Sequence, residues 1–308
     1  MTTIAVVIPT HRRAGSLADC LAALAAQDRA PDEVLVVARA GDADSAHVVA
    51  VAPIACRYLE LDEPGVLAAM GAGARAATSD VICFTDDDAT APSGWLTGLL
   101  ALLDAAPLVG AAGGRDELFD GEVPRIEPRT SDVGRLTWFG RHVGNHHLGQ
   151  GPPREVAFLK GVNAAYRRSA LGIPRGLRGS GAQAHFEIAV GRFTRSRGCT
   201  LLYDPELAVQ HRPAGRLGED SRADPSNGAI SDAAYNLVVA IGGARGIARS
   251  VYAVVVGDRG CPGILRGLVA LVRHDAATAR KVAPSVRGTL AGSWALARGR
   301  GVTYETFD

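Results

Sequence analysis

The stretch VICFTDDD, residues 81–88, joins an unbroken apolar run to three consecutive aspartates. Such a run is typical of a β-strand that is buried on both faces of a parallel sheet. Three adjacent carboxylates repel one another, and a cation would offset that repulsion. The alternative is that Asp86, Asp87 and Asp88 form a solvated turn and cap the following helix. The stretch therefore predicts a buried strand that ends in a candidate metal site.

Short β-branched segments alternate with longer alanine- and leucine-rich segments as far as about residue 113. This alternation is typical of βαβ units and predicts strands at residues 4–8, 33–37, 57–61 and 81–85. Helices are expected between them: one starts with a capping box of Ser16 and Asp19, and two others span residues 65–77 and 93–103. The predicted fold class is α/β, an open, mostly parallel sheet flanked by helices, with a helical C-terminal extension.

The pattern weakens between residues 114 and 154, where glycine, proline, arginine and histidine are frequent. A loop of this length inside a compact domain is usually functional. Order returns at residues 156–159, and a helix is predicted at 183–197, with strands at 200–203 and 207–210. The polar stretch 215–228 is the best predicted boundary, and the tail beyond it is expected to be helical.

The composition excludes several classes of protein. Thirty-three basic and 32 acidic side chains give a formal net charge of +1, so no overall field favours nucleic acid as a partner. Five cysteines without a C-x-x-C pair argue against a disulfide framework or a zinc ribbon. No signal-peptide pattern is visible, and the longest uncharged stretch, residues 89–103, is too short to cross a bilayer. We therefore expect a cytoplasmic protein.

Basic side chains follow the first two predicted strands, at the sheet edge where ligands bind in α/β folds. The first strand leads into PTHRR, residues 9–13, and the second into Ala38 and Arg39. Basic groups beside carboxylates suit a diphosphate bridged to Mg²⁺ or Mn²⁺. The segment GAGARA, residues 71–76, also fits a dinucleotide-binding pattern, but no strand directly precedes it. We expect Gly71 and Gly73 to be close-packing positions on a helix.

Several segments, taken in order, resemble family 2 glycosyltransferases of the GT-A fold. They are IPTHRR at 8–13, the segment 64–80, FTDDD at 84–88 with Trp95 after it, and GVN at 161–163 leading to Arg167 and Arg168. The resemblance spans residues 3–213. It implies sugar transfer from a nucleotide diphosphate sugar, with a UDP-sugar favoured, to an acceptor hydroxyl on a glycan, a lipid-linked molecule or a small molecule. It further implies inversion at the anomeric carbon and a bound Mn²⁺ or Mg²⁺.

The resemblance also implies roles for individual residues. Asp86 and Asp88 match the outer positions of the family's metal-binding motif, with Asp88 as the direct ligand and Asp86 nearer the ribose. His211 matches a histidine that approaches the metal, so the predicted metal residues are Asp86, Asp88 and His211. Glu187 matches the general base, although a surface glutamate in the first turn of a helix is the structural alternative. The nucleotide contacts are assigned to Pro9, Thr10, Arg13, Arg39, Gly65, Asp86 and Asp87.

The chain departs from the family pattern at three places. Phe186 replaces the glutamate of a Glu-Asp pair, Met70-Gly71 replaces Arg-Asn, and Ala38-Arg39 replaces acidic residues that contact the nucleoside. Trp138 is interpreted as a stacking platform or as packing for its loop, and Lys160 as a phosphate or sugar contact or a surface lysine. The predicted donor and acceptor pocket comprises Trp138, His146, His147, Lys160, Gly161, Asn163 and His185.

Together these observations divide the chain into a catalytic domain, residues 1–214, and a helical extension, residues 215–308. Within the domain, residues 1–113 form the nucleotide-binding half and 114–214 the acceptor and base half. The apolar, arginine-interrupted helices of the extension are of a kind that can lie in a membrane interface, which would make the protein peripheral at the inner face. They could equally pack on the parent domain or on a second subunit of a homodimer.

Three other functions remain open at this point. A sugar nucleotidylyltransferase would share the architecture, but no glycine-rich, lysine-containing loop follows the first strand. A glycosidase could use Asp88 and Glu187 as its pair of carboxylates. A sugar-nucleotide or glycan-binding protein without transferase activity would explain the departures at Phe186 and Met70-Gly71.

Overall fold

The computed structural model describes residues 2–179, 181, 183–213 and 225–307. In this part of the chain the strands are β1 (Ile4–Thr10), β2 (Glu33–Arg39), β3 (Arg57–Leu61), β4 (Val81–Phe84), β5 (Ala89–Thr90), β6 (Val109–Asp120), β7 (Val123–Pro124), β8 (Arg135–Leu136), β9 (His142–Val143), β10 (Arg154–Glu155), β11 (Ala164–Arg167), β12 (Gly172–Arg175), β13 (Thr200–His211) and β14 (Thr303–Thr306). The α-helices are α1 (Ala14–Ala25), α2 (Ala43–Ala50), α3 (Val66–Ala76), α4 (Trp95–Asp104), α5 (Phe186–Ser196), α6 (Asn227–Ile241), α7 (Gly243–Val255), α8 (Ile264–Val272), α9 (Ala276–Arg280) and α10 (Val282–Ala297).

One large sheet organises the fold, in the strand order β10-β13-β6-β11-β4-β1-β2-β3, with β5 paired to β13 and β7 to β6. Strands β3, β2, β1 and β4 are parallel neighbours. Strand β11 lies antiparallel between β4 and β6, and β6 is parallel to β13. Apart from β10 and β11, the strands in this order run in one direction. The predicted open, mostly parallel sheet is therefore confirmed.

Helices cover both faces of the sheet because the residues of β1 alternate between two hydrophobic cores. Ala5 and Val7 belong to the core with α3, whereas Ile4, Val6 and Ile8 belong to the core with α1 and α4. All five are fully buried, as expected for a strand covered on both faces. Burial of each large aliphatic side chain contributes about 1.5–3 kcal/mol, so the two cores hold the strand ends in fixed positions.

Two glycines of α3 allow this helix to pack closely. A Cβ at Gly73 would overlap with Val7 of β1, and a Cβ at Gly71 would lie 3.3 Å from Glu305 Oε2. Both glycines are buried in the helix. The prediction that they are close-packing positions is therefore confirmed.

The C-terminal segment packs on the part of the chain that was predicted to be the catalytic domain, residues 1–214. Strand β14 pairs with β12, and Phe307 lies in the core that contains α3. Glu305 forms ion pairs with Arg75 of α3 and with Arg175 of β12. The predicted boundary at residues 215–228 lies largely outside the described residues, and the description resumes two residues before α6.

Several local features differ from the sequence prediction. Helix α1 begins at Ala14, after Arg13 and without a side-chain cap, so the capping box at Ser16 was wrong. Helix α2 was not predicted, although Asp42 caps it by accepting a hydrogen bond from Ser45 N. The two strands expected at 200–203 and 207–210 form the single strand β13, whose pairing with β6 is irregular between Asp204 and Val209. No helix among the described residues is long and apolar enough to span a membrane.

Candidate active site

Three potential metal-ligating side chains meet at the sheet edge where β4 ends. Asp86 and Asp88 follow β4, and His211 is the last residue of β13. The pairing of His211 with Ala89 of β5 brings the two segments together. One ligand atom from each of Asp86, Asp88 and His211 lies within 4.8 Å of the others, and His211 Nε2 is 3.3 Å from Asp88 Oδ1. The structure thus brings together the three residues that the sequence assigned to the metal.

The middle aspartate joins two strand ends. Asp87 Oδ2 accepts a hydrogen bond of 2.7 Å from Thr10 Oγ1, and Asp87 Oδ1 accepts one of 3.0 Å from Arg13 Nη1. Arg13 Nη1 also lies 3.3 Å from Asp88 Oδ2. The Asp87 side chain is only 3% exposed, and both of its oxygens are engaged. Asp87 therefore orients Thr10 and Arg13, and its own contact with the nucleotide stays a prediction.

The turn after β1 is held in an unusual backbone conformation. Arg12 has a φ of 54°, which is in the left-handed region that non-glycine residues rarely adopt. Its backbone N–H donates a hydrogen bond of 2.6 Å to Asp42 Oδ2. Such strain persists only where neighbouring contacts fix it, and it is often found at functional sites. Pro9 lies just before this turn, paired with Val37 of β2.

Two further predicted nucleotide contacts lie beside β2 and α3. Arg39 ends β2, and its Nη1 is buried without a hydrogen-bond partner among the described residues. Gly65 precedes α3 with a φ of 112°, and a Cβ there would lie 3.1 Å from the Gln183 amide. Gln183 Oε1 accepts a hydrogen bond of 3.3 Å from Leu67 N. Gly65 thus lets Gln183 approach the start of the helix, a contact that sequence reasoning missed.

Burial and charge shift the pKa values of this group in opposite directions. Burial, with the neighbouring Asp88 carboxylate, raises the pKa of Asp86 to about 6. Burial alone would lower the pKa of His211, but the carboxylates of Asp116 and Asp88 outweigh it and raise the value to about 9. Asp116 of β6, whose Oδ2 lies 3.9 Å from His211 Nδ1, was missed because the sequence placed it in a loop. The site therefore concentrates negative charge around one imidazolium.

The donor set fits a divalent cation. Carboxylate oxygens suit Mg²⁺ and Mn²⁺. An imidazole nitrogen suits transition-metal ions, so Mn²⁺ fits Asp86, Asp88 and His211 better than Mg²⁺. A bound cation would also offset the burial and the repulsion from Asp88 that together raise the pKa of Asp86.

Lys160 connects this group to Glu187. Its Nζ lies 3.3 Å from Glu187 Oε1, and its charge also acts on the carboxylates of Asp86 and Asp116. Glu187 lies in the first turn of α5, and its side chain is 15% exposed. The start of α5 is fixed by packing, because a Cβ at Gly161 would lie 2.9 Å from Phe186 Cζ.

A second polar group joins the start of α5 to the C-terminal helices. The rings of His142 and His185 meet edge to face with centroids 5.0 Å apart, and His142 Nδ1 lies 3.8 Å from Asp258 Oδ2. Arg249 of α7 donates a hydrogen bond of 2.5 Å to the same Asp258 oxygen. Burial lowers the pKa of both histidines, which favours their neutral forms. Nothing in the sequence pattern pointed to Arg249 or Asp258.

Two predicted pocket residues have structural roles instead. The His146 ring is buried, with Nε2 3.0 Å from the Phe158 carbonyl oxygen. Asn163 is fully buried; its amide donates to the carbonyl oxygens of Arg115 and Leu207 and accepts a hydrogen bond from Trp95 Nε1. Because these polar atoms are already satisfied, the prediction that His146 and Asn163 line the pocket was wrong.

Two others lie at the surface. The Trp138 side chain is 77% exposed and meets Phe139 edge to face at 5.3 Å. His147 Nε2 lies 4.0 Å from Glu127 Oε2. Their contact with a donor or acceptor stays a prediction, as do the pocket roles of Lys160, Gly161 and His185.

The fold defined above is that of solved glycosyltransferases. The crystal structure of GalNAc-T7 with UDP, GalNAc and Mn²⁺ is 16% identical, with a TM-score of 0.57, over 78% of this chain and 48% of that one. TarS from S. aureus is 13% identical, with a TM-score of 0.50, over 82% and 40%. The mannosyltransferase PcManGT from Pyrobaculum calidifontis, in complex with GDP-Man and Mn²⁺, is 17% identical, with a TM-score of 0.53, over 95% and 87%. This chain spans less than half the length of the first two. At these identities the likeness confirms the GT-A-like fold.

The family follows from the sequence itself. Residues 5–172 match the family model for glycosyl transferase family 2, which is more than half of the 308 residues. The chain belongs to glycosyl transferase family 2, as the motifs at residues 8–13 and 84–88 predicted. A search of curated proteins returned no significant match.

Proposed function

We propose that this protein transfers a sugar from a nucleoside diphosphate sugar, with a UDP-sugar favoured, to an acceptor hydroxyl and inverts the anomeric carbon. The observation that carries the proposal is the group of Asp86, Asp88 and His211 at the carboxyl end of β4. Family membership over residues 5–172 supports the same reaction class. Mn²⁺ or Mg²⁺ held there would neutralise charge on the departing diphosphate.

The donor is proposed to lie over the ends of β1 and β2. Thr10 and Arg13 are oriented towards this edge by Asp87. Arg39 ends the neighbouring strand, and its buried Nη1 has no hydrogen-bond partner in the part of the chain that the structure describes. A guanidinium binds phosphate oxygens through several N–H groups at once. Pro9 and Gly65 complete the proposed site by shaping the backbone on either side.

The acceptor is proposed to approach from the side of α5. An inverting displacement needs a base that removes the proton from the attacking hydroxyl, a step that contributes about 10²–10⁴-fold in rate. Glu187 is proposed as this base, and Lys160 at 3.3 Å holds its carboxylate in place. His185, which precedes the helix with a φ of 68°, and Gly161 shape the same wall.

The base is tested by Glu187→Gln, which keeps the size of the side chain but removes its basicity. We expect transfer to fall by at least about 10²-fold, while the affinity for the nucleotide stays within about twofold. Glu155→Gln is the matched control, because Glu155 is exposed on the edge strand β10. Full turnover by Glu187→Gln would exclude Glu187 as the base.

The donor is tested by thermal unfolding with UDP, GDP, TDP and CDP, each with Mn²⁺ or with a chelator. A ligand at 100 times its Kd stabilises a protein by about 2.7 kcal/mol. We expect one nucleotide to stabilise the protein only when the metal is present. A nucleotide that stabilises the wild type without any sugar transfer would favour the alternative of a binding protein that lacks activity.

A further inference from the structure

Helix α8 buries its small residues and exposes its large apolar ones. Its buried residues are Gly267 and Ala270. Its large apolar residues are between 49% and 81% exposed: Ile264, Leu265, Leu268, Val269, Leu271 and Val272. A helix of a soluble domain normally buries its large apolar residues, so this surface is suited to contact with something outside the described chain.

Two neighbouring helices extend the same kind of surface. Helix α7 exposes Ile247, Val251 and Val255 at intervals of four residues, and α10 exposes Leu290 and Trp294. Ser293 Oγ of α10 donates a hydrogen bond of 2.7 Å to Ser250 Oγ of α7, one residue from Trp294 and Val251 respectively. We refer to these exposed side chains of α7, α8 and α10 as the apolar face. Contiguous exposed apolar surfaces of this kind mark interaction sites.

The charge around the apolar face is strongly one-sided. Residues 243–301 contain ten basic and two acidic side chains, although the whole chain has a net charge of only +1. One of the two acidic residues, Asp258, is already paired with Arg249. The exposed basic residues are Arg245, Arg259, Arg273, Arg280, Arg287, Arg298 and Arg300. Because these exposed basic residues lie in the same segment of chain as the apolar face, a partner that offers both an apolar interior and negative surface charge suits this part of the molecule.

We propose that the apolar face docks onto a lipid bilayer that contains anionic headgroups, with α7, α8 and α10 lying in the interface. Apolar side chains enter the boundary between headgroups and acyl chains, and basic side chains stay at the anionic headgroups. A second copy of this chain is the less suitable partner, because it would bring two strongly basic surfaces together. Trp294 fits this position, since tryptophan favours membrane interfaces.

The docking surface is connected to the acceptor side of the molecule. On the inner side of α7, Tyr252 packs against Phe139 with ring centroids 5.3 Å apart, and Arg249 pairs with Asp258 next to His142. A docked molecule would therefore hold its acceptor half at the bilayer, where a lipid-linked acceptor would be presented. This last consequence rests on the proposed function, whereas the docking itself does not.

The test is co-sedimentation of the full chain with vesicles, without nucleotide or sugar. We expect binding to vesicles of phosphatidylcholine with about 30 mol% phosphatidylglycerol, and at least about tenfold weaker binding to phosphatidylcholine alone. Raising the salt to about 0.5 M should weaken the binding, because exposed charges are then screened. Absence of binding to either vesicle would overturn the proposal, and it would leave the proposed transferase activity untouched.

A pair of variants locates the contact. The double variant Leu268→Glu, Val272→Glu places two carboxylates on the apolar face, and we expect at least about tenfold weaker vesicle binding. The control is Val51→Glu, Ile126→Glu, at two exposed apolar positions outside the extension. Thermal unfolding verifies that both proteins fold. Equal loss of binding in both, or light scattering that shows Leu268→Glu, Val272→Glu separating a stable dimer, would overturn the proposal.

Discussion

Asp86 shows how the chemistry of the site conflicts with the stability of the fold. Burial, with the Asp88 charge, raises its pKa from the ordinary 3.8 to about 6, so its charged form is disfavoured in the folded protein. A raised carboxyl pKa means that the folded state binds more protons than the unfolded state. Stability is then lost as the pH rises from about 4 to about 6, and the loss is complete above that range.

Asp86→Asn should therefore stabilise the metal-free protein. Since one pKa unit corresponds to about 1.4 kcal/mol, we expect a gain of about 1–3 kcal/mol at pH 7. Denaturant unfolding with a chelator at pH 7 and pH 4 measures this gain, which should nearly vanish at the lower pH. The same variant should lose the stabilisation by nucleotide with Mn²⁺. A variant that is less stable than the wild type at pH 7 would show that the Asp86 charge is already compensated.

At the level of individual residues, the sequence predicted those members of the candidate site that lie in contiguous motifs. Asp86 and Asp88 could be singled out because they follow a strand that is recognisable from its apolar run, whereas His211 was predicted through the family resemblance. The structure brings the three side chains together. Asp116, Arg249 and Asp258 were missed, because only the fold brings them beside a histidine of the site. Asn163 was predicted to line the pocket because the sequence does not reveal that its buried amide is hydrogen-bonded to Trp95 Nε1 and to the carbonyl oxygens of Arg115 and Leu207.

Helix α3 illustrates how closely an element must pack to position the site. A Cβ at Gly73 would overlap with Val7 of β1, and Val7 is fully buried in a central strand, so it has no room to move. Gly73→Ala should therefore destabilise the protein by about 1–3 kcal/mol, in spite of the better helix propensity of alanine.

The matched control for this prediction is Gly15→Ala in α1. A Cβ at Gly15 would meet no atom within 4 Å, so only propensity acts, and we expect a gain of up to about 1 kcal/mol. Urea unfolding of the two variants at neutral pH compares them directly. Similar effects of both substitutions would show that α3 can shift away from β1.

The elements that the sequence predicted best are those whose local pattern agrees with their final environment. Strands β1, β2 and β4 are short, largely apolar runs in a parallel sheet, whereas β3 contains Arg57 and Glu60 and lies at the sheet edge. The predicted positions of all four are within two residues of the observed ones. Helix α2 has a weak apolar stripe, with only Ser45 buried, and it was missed. Strand β13 was divided into two because the polar residues at its irregular centre are characteristic of a turn, while pairing with β6 continues on both sides.

At the scale of the whole molecule, the last residues of the chain pack against strands and helices from earlier in the sequence. Strand β14 pairs with β12, and Glu305 binds Arg75 and Arg175 on two different elements. Phe307 is 8% exposed and packs in the core that also contains α3. The division into units at 1–214 and 215–308, proposed from the sequence, therefore does not separate two independent cores at this end of the chain.

Phe307→Ala tests this connection. Removing a buried phenylalanine costs about 3–5 kcal/mol, and the partial exposure of Phe307 leads us to expect about 2–4 kcal/mol. Because the core in which Phe307 packs is otherwise formed by residues 5–203, the loss should lower the midpoint of a single cooperative transition, followed by both tryptophan fluorescence and circular dichroism. If the extension were an independent unit, two separate unfolding transitions would be seen, and Phe307→Ala would lower the midpoint of only one of them. A single shifted transition would mean that the surface proposed to bind lipid and the proposed catalytic group belong to one cooperative structure.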